Sequence, residues 1–461
     1  MLRTQKRWGI VVAAVVALAP SAAAEGATIE VTLRGDPAPG NCTPSHCSLR
    51  EAVLRANNVS PGSDTIVLPN RRRPYKLAIA NADSLGEDGS QTGDLDVTND
   101  PLTIKHPGKG VATVDGGGLD RVFHLFAPLT LKRIGVTDGD SSEITSLDDG
   151  GGILTYARLK LLRSQVSGNI GDHGGGIAAL EGSRLTIARS RIAGNTDTDG
   201  GGGLHILSAD PSSISNSVIT GNRVVNTNEA GAINVFGTQL RISRTTIAGN
   251  SSQREGGAIV AQESDLRVEN STISRNRGLG RGGGIYLYSG ETRIVNSTIA
   301  QNRTTEDGGG IVVLGDGQLD LNGVTISRNL ANSDSNPFSE TGGGLSHDST
   351  GAVTVRNSIL ALNTLGPDVR NDCTGNPIAS GGGNLLSTLG PVGVCTGFAG
   401  PGDAVRSNPG LGKLAKNGGP TKTMALKGGS PAIGRARSSA PARDQRGVKR
   451  DRSPDSGAYE R

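Results

Sequence analysis

Eight times between residues 166 and 363 the chain returns to a short tetrapeptide that ends in asparagine. The series runs Val-Ser-Gly-Asn169, Ile-Ala-Gly-Asn195, Ile-Thr-Gly-Asn222, Ile-Ala-Gly-Asn250, Ile-Ser-Arg-Asn276, Ile-Ala-Gln-Asn302, Ile-Ser-Arg-Asn329 and Leu-Ala-Leu-Asn363. The intervals are 26, 27, 28, 26, 26, 27 and 34 residues. A second landmark alternates with the first: a glycine run followed by Ile153, Ile177, Leu204, Ile233, Ile259, Ile285, Ile311 and Leu345. Self-similarity at such a period is the signature of a solenoid or array.

The chemistry inside one repeat is that of strands. In Gly284-Ile285-Tyr286-Leu287-Tyr288 the aliphatic residues alternate with tyrosines at a period of two. Ser289-Gly290 makes a turn, and Thr292–Asn296 and Thr298–Ala300 supply two further short strands. Three strands per repeat, bounded by Gly, Asn and Asp, describe a triangular prism. A leucine-rich repeat would need its own consensus and a helix-length segment, and neither is present. The expected fold is therefore all-β: a right-handed parallel β-helix with about 26 residues per coil. Seventy glycines against 2% aromatics suit a slender aliphatic core with a tight turn in every coil. The ladder asparagines are expected to stack, amide on amide, along the axis. The Asn-x-Ser/Thr triplets that several of them start are by-products of the repeat.

The ends carry different information. Arg3, Lys6 and Arg7 precede the apolar stretch Ile10–Leu18, and Ala22-Ala23-Ala24 offers a signal peptidase site, so residues 1–24 read as a signal peptide cleaved after Ala24. The apolar run is too short to span a bilayer, and no later stretch is apolar enough. The formal net charge is +4; loss of Arg3, Lys6 and Arg7 with the leader leaves about +1. Residues 435–461 concentrate eight Lys/Arg against four Asp/Glu, which reads as a solvated basic terminal segment rather than a nucleic-acid or membrane contact. An even cysteine count behind an export signal favours disulfides. Three connectivities are open, and the local pairs Cys42–Cys47 and Cys373–Cys395, one flanking each end of the array, are preferred.

Cys47-Ser48-Leu49-Arg50-Glu51-Ala52, followed by Ala56-Asn57-Asn58, resembles the CSLREA motif of bacterial extracellular proteins. Gly93-Asp94-Leu95-Asp96-Val97 and Asp115–Phe123 are similar to segments that follow it there. Asn408-Pro409-Gly410-Leu411, Asn417–Thr423, Gly429–Ile433, Asp444-Gln445-Arg446-Gly447 and Gly457-Ala458-Tyr459-Glu460 resemble the choice-of-anchor Q domain, which closes pectin-lyase-like β-helices. The resemblance spans nearly the whole mature chain. It implies a β-helix exported to the surface or medium, and it brings no agreed activity and no catalytic residues. Such proteins often continue into an anchoring segment, which puts retention on the cell in doubt here. The organisation expected is 1–24 signal peptide, 25–80 N-terminal cap, 81–365 β-helix and 366–461 C-terminal cap. Leu49, Ala52, Val53, Leu54 and Ala56 predict a short amphipathic helix over the first coil, with Glu51 and Arg55 at ion-pair spacing.

Two columns stand out as candidate sites. If the glycine-led aliphatics point inward, the residues three further on point outward: Tyr156, Leu180, Leu207, Phe236, Gln262, Tyr288 and Leu314, with Asp348 at the end. So apolar an outward stripe predicts a surface for a glycan chain or a partner protein, unless loops or the C-terminal segment cover it. The second column precedes the glycines: Asp149, Asp172, Asp199, Glu229, Glu255, Asp307 and Glu340, interrupted by Arg281. Stacked carboxylates repel one another unless they splay, take up protons or bind a cation, and calcium suits oxygen clusters. The loop Asp138–Asp149 and the group Asp94, Asp96 and Asp100 have similar, weaker calcium potential.

The six histidines, His46, His106, His124, His173, His205 and His347, show no metal-ligand spacing. The glycine runs precede strands and lack a following Lys-Ser/Thr, so they are not phosphate loops. Trp8 leaves with the leader, so the tyrosines must serve for any stacking on sugars. The reading is a secreted or cell-surface, monomeric, non-catalytic scaffold that binds a glycan or a surface protein and no nucleic acid. The alternative is a calcium-dependent polysaccharide lyase or hydrolase using the acidic column, with Arg281 as base or charge neutraliser.

Overall fold

Each repeat folds into one coil of a right-handed parallel β-helix. The computed structural model describes residues 26–58, 62–69, 72–81, 88–142, 149–226, 229–334, 342–389 and 395–461. The expected signal peptide, residues 1–24, and its expected cleavage point after Ala24 lie outside them.

Three sheets run the length of the rod. The glycine-led sheet has 11 strands, and the middle sheet and the sheet leading into the asparagine ladder have 13 each. One coil shows the plan: Ile285–Tyr288, Glu291–Val295 and Thr298–Ala300 each pair in parallel with their counterparts one coil before and after. The hand is the one that twisted parallel strands impose on a crossover connection. Inside, the eight aliphatics from Ile153 to Leu345 are fully buried and stack on one another.

The asparagine column forms the expected ladder. Asn276 Nδ2 donates to Asn302 Oδ1 at 2.9 Å and to the Ile247 carbonyl at 3.1 Å, and its backbone N–H donates to the same Oδ1 at 3.0 Å. The pattern repeats from Asn169 to Asn363, which ends it on Asp372 Oδ1 at 3.0 Å. Glycine precedes the aliphatic in six of the eight coils, with Ala232 and Ala258 in the other two, and its small size lets the coils approach closely here. A Cβ on Gly310 would meet the Gly344 carbonyl at 2.4 Å and Asn329 Nδ2 at 3.1 Å. A second ladder passes through Ser190, Ser217, Thr245, Ser271 and Ser297, each hydroxyl accepting a backbone N–H of the preceding coil.

The predicted helix spans Leu49–Asn58 and buries Leu49, Ala52, Val53 and Ala56 in the common core, while Leu54 is half-buried. Glu51 does not pair with Arg55. It closes a capping box instead, accepting the Ser48 N–H at 2.7 Å while Ser48 Oγ accepts the Glu51 N–H at 3.2 Å. Arg50 is wholly buried, held by Asp36 at 2.9 Å and by the carbonyls of Ser90, Thr92, Gly93 and Asp94. Both local disulfides, Cys42–Cys47 and Cys373–Cys395, are formed.

Strands already join the sheets at Thr28–Glu30, Thr65–Val67 and Tyr75–Lys76, and the sheets continue through Cys373–Gly375, Ala379–Gly382, Leu385–Leu386 and Ala404–Val405. Residues 411–461 then turn back along the outside of the ladder sheet. Gln445 is buried there, its Nε2 donating to Thr272 Oγ1, Thr421 Oγ1 and the Lys422 carbonyl while its Oε1 accepts from Thr298 Oγ1. The basic terminal segment is therefore docked on the rod rather than free, although Arg437, Arg443, Lys449, Arg452 and Arg461 keep their side chains exposed. Arg450 is buried against Glu460 at 2.9 Å, and Arg446 pairs with Asp444 and lies 3.7 Å over the Tyr459 ring. Intramolecular carboxylates and carbonyls account for these cations.

Candidate functional site

The outward face of the glycine-led sheet carries two ladders, not one. The residue directly after each inward aliphatic also points outward, and these positions are in register: Asp96, His124, Leu154, Ala178, His205, Asn234, Val260, Tyr286 and Val312. All but Tyr286 are buried. Their cover is the glycine turn of their own coil. A Cβ on Gly308 would sit 2.6 Å from Val312 Cβ, and one on Gly282 would sit 2.9 Å from Tyr286 Cβ. Glycine is needed there so that the turn can lie flat on the sheet.

The second outward ladder is the expected apolar stripe, and the C-terminal segment does not cover it. Leu180, Leu207, Phe236 and Gln262 line an open groove of about 560 Å³, together with Asp149, His173, His205, Glu229 and Asn234. Tyr156 lies toward one end of the stripe, stacked on Phe126 with ring centroids 6.1 Å apart. Tyr288, 44% exposed, lies further along it, and Leu314 is buried. Asp348 accepts the Ser346 hydroxyl at 2.9 Å.

The acidic column divides into two groups, each gathered around one cation, rather than one run of carboxylates. At the groove, His173 Nδ1 lies 2.8 Å from Asp149 Oδ1 and its Nε2 lies 4.0 Å from Asp199 Oδ2. The hydrogen bond to Asp149 raises the His173 pKa to about 9, against burial and with the help of the charges on Asp149, Asp197 and Asp172. Asp172 accepts from Thr198 Oγ1. His205 packs edge-on to His173 at 5.3 Å, and its Nδ1 is 3.5 Å from Glu229 Oε2 and 3.3 Å from Asn234 Nδ2. Asn234 also donates to Glu229. Beneath the turn, burial pushes Asp197 up to about 7 even though Gly175, Asp199 and Gly200 donate N–H groups to it.

Further along, Glu255 accepts the Arg281 N–H at 3.0 Å, and burial raises the Glu255 pKa. The Arg281 guanidinium lies 3.4 Å from Glu306 and 3.5 Å from Asp307. Glu340 lies outside the described residues, as do residues 143–148 of the Asp138–Asp149 loop.

Among the described residues, the only three ligating groups within 4.8 Å of one another are Asp88, Asp96 and His124, at the start of the same face beside Phe126. Burial, aided by Arg121, lowers the His124 pKa to about 3. Asp94, Asp96 and Asp100 are parted: Asp94 pairs with Arg121 at 3.3 Å, Asp96 faces His124, and Asp100 accepts the Gly62 N–H.

Sequence spacing did not reveal His173, His205, Asn234, Asp88 or Glu306 as members of these groups. The two groove histidines come from adjacent coils, so no short motif joins them. The signal available was alternation itself, which makes the residue after the aliphatic as outward as the one three after it.

Residues 153–331 match the family model for the right-handed β-helix region. No curated protein matches the chain. Among solved structures, the pectate lyase Pel9A is similar at 15% identity and a TM-score of 0.43, with 95% of this chain and 97% of that chain covered.

Proposed function

We propose that the protein is an exported, non-catalytic, glycan-binding β-helix whose ligand lies along the outward face of the glycine-led sheet. One observation carries the reading. Leu180, Leu207 and Phe236 share a groove with Glu229, Asn234, Gln262 and the Asp149–His173 pair. A sugar ring presents an apolar C–H face and a rim of hydroxyls, and a groove that mixes apolar side chains with a few convergent polar groups answers both. The carboxylates favour a neutral, hydroxyl-rich chain over a polyuronate, which they would repel.

Two disulfides support export, as does the leader-like start of the sequence. No described helix is long and apolar enough to cross a membrane. Membership of the CSLREA and choice-of-anchor Q family is part of the same proposal. It is supported by the structural tasks of Ser48, Arg50 and Glu51 in the cap and of Gln445 in the packed tail. The non-catalytic reading is supported by Arg281, whose guanidinium sits between Glu306 and Asp307 rather than bare in the groove.

The test is a glycan array and calorimetry on the full chain, with Leu207→Ser combined with Phe236→Ser. Binding of a neutral glycan that weakens about tenfold in the double variant, roughly 1.4 kcal/mol, is the expected result; undiminished affinity rejects the groove. A parallel incubation with uronate polymers, with and without calcium, follows absorbance of unsaturated product. Product that disappears with Arg281→Ala would replace this reading with a lyase.

A further inference from the structure

The corner between the middle and ladder sheets holds a column of residues whose backbone N–H groups each bond to the next coil. His106, Arg133, Arg163, Arg189 and Asn216 donate to the carbonyls of Lys132, Leu162, Ala188, Ser215 and Ser243, each at 3.0 Å. From Arg133 onward the backbone is left-handed, with φ of 59°, 54°, 54° and 50°. Asn and Gly take that conformation most readily. Later coils use them in the same slot, at Asn270, Asn296, Gly323 and Asn357, with Arg244 as the exception. Three successive coils of the first half carry arginine instead.

The choice of arginine runs against a second preference. Coils are about 4.8 Å apart, so the three guanidinium-bearing residues stand in line with like charges on adjacent strands. Lys105 and Lys132 add to them, and together they line an open groove of about 440 Å³. Among the described residues, no carboxylate lies within 4.0 Å of any of these five cations. On the later coils of the middle sheet, by contrast, Glu269 matches Arg241 and Arg267, and Asp320 matches Arg293 and Arg356.

We propose that this corner is a second binding site, for an extended anionic polysaccharide bearing a carboxylate or sulfate on its sugar residues. It is independent of the hydroxyl-binding groove. A linear polyanion lets one guanidinium per coil take one anionic group through a planar, two-pronged contact. Residues along the polymer advance by about one coil step, so successive anions meet successive arginines. The groove holds no Phe, Tyr or Trp, and so offers no platform for the stacked bases of a single-stranded nucleic acid.

The experiment titrates the full chain with polygalacturonate and dextran sulfate at low and moderate salt, comparing the native protein with the Arg163→Asn/Arg189→Asn variant. Asparagine fits the left-handed slot, so the variant keeps its fold, checked by an undiminished Tm. Binding should weaken with salt and fall at least tenfold in the variant, whereas Arg452→Asn, which removes one exposed tail charge, leaves it within twofold. Neutral-glycan affinity should not change, which separates this site from the groove. Equal losses in both variants would reduce the site to diffuse charge and overturn the proposal. Tighter, equally arginine-dependent binding of oligothymidine or phosphatidylserine vesicles would overturn the ligand class.

Discussion

The two halves of the arginine–asparagine corner share one backbone and have opposite surroundings. In the first half, Arg133, Arg163 and Arg189 face an open basic groove. In the second, the chain's own tail occupies the same position. Asn296 Nδ2 donates to the Arg443 carbonyl at 2.7 Å, Asn357 Oδ1 accepts the Arg437 N–H at 2.7 Å, and beside the slot residue Gly323 the neighbouring Asn322 Nδ2 donates to the Ser439 carbonyl at 3.0 Å. A short amide can both donate and accept, so it satisfies a neighbouring backbone and lets it approach. An arginine can only donate, stands further out, and repels a tail with eight basic residues between 435 and 461. At the junction the slot is mixed, with Asn216 lining the basic groove and Arg244 standing beside Pro420 and Arg443 of the tail, so it is the run of three successive arginines that marks the uncovered stretch.

The largest test of this contrast lies in the tail. Arg450 is buried and bonds Glu460 at 2.9 Å, the carbonyls of Asp455 and Gly457, and more distantly Asn296 Oδ1 at 3.4 Å. Arg450→Met leaves Glu460 charged and buried, so urea denaturation should show a loss of about 3–5 kcal/mol. An unchanged midpoint would mean that the tail is not part of the cooperative unit. Moving the first half's residue into the second half should come next. Asn296→Arg removes the donor to the Arg443 carbonyl and sets a cation beside Arg450, at a cost of about 2–3 kcal/mol. Limited proteolysis should then release the tail from the ladder sheet, and an intact, protected tail would refute the role assigned to the asparagine.

How much of this was legible in the sequence follows from what repeats. A ladder needs the same residue type in every coil, so Asn169 to Asn363 and the glycine-led aliphatics disclosed the sheets, their register and the core directly. Contacts that occur once left no such trace. The tail's docking rests on unrepeated contacts of Gln445, Ser439 and Arg450, and its composition is that of a solvated segment. Glu51 and Arg55 had the spacing of an ion pair, but Ser48 offered Glu51 a closer task at the helix start. His173 and His205 are 32 residues apart in the chain and 5.3 Å apart in space, a proximity created only by stacking. The acidic column was visible, but its partition was not, because His173, the cation of one group, and Glu306, a further carboxylate of the other, lie outside the pattern.

A smaller effect of opposite sign sharpens the comparison. If the arginines are kept for a ligand, the first half should be less stable than it need be. Arg163→Asn relieves both the left-handed strain and the charge stacking, and should raise stability by about 1 kcal/mol. Thermal melts in the absence of polyanion read this directly. Stabilisation accompanied by weaker polygalacturonate binding is the pattern of a residue held for function. A destabilised variant would show that the guanidinium is structural.

The smallest effect concerns the glycan groove, whose cation is a histidine. The hydrogen bond to Asp149 raises His173 from 6.5 to about 9 in the folded chain. A cation whose pKa is raised on folding contributes stability that is fully present below its unfolded pKa. That stability disappears as the pH rises through the folded value. The denaturation midpoint should therefore decline between pH 6.5 and about 9, and His173→Gln should flatten that decline. Burial of Asp197, which lifts its carboxyl to about 7, favours the protonated form of the folded chain and produces its own decline at lower pH. The two windows meet near neutrality, so the His173 effect is best read above pH 7.5, where Asp197 is largely ionised. If the profile there is the same with glutamine in place of His173, the Asp149–His173 pair does not hold a proton in the folded groove, and its share in binding sugar hydroxyls must come from a neutral ring.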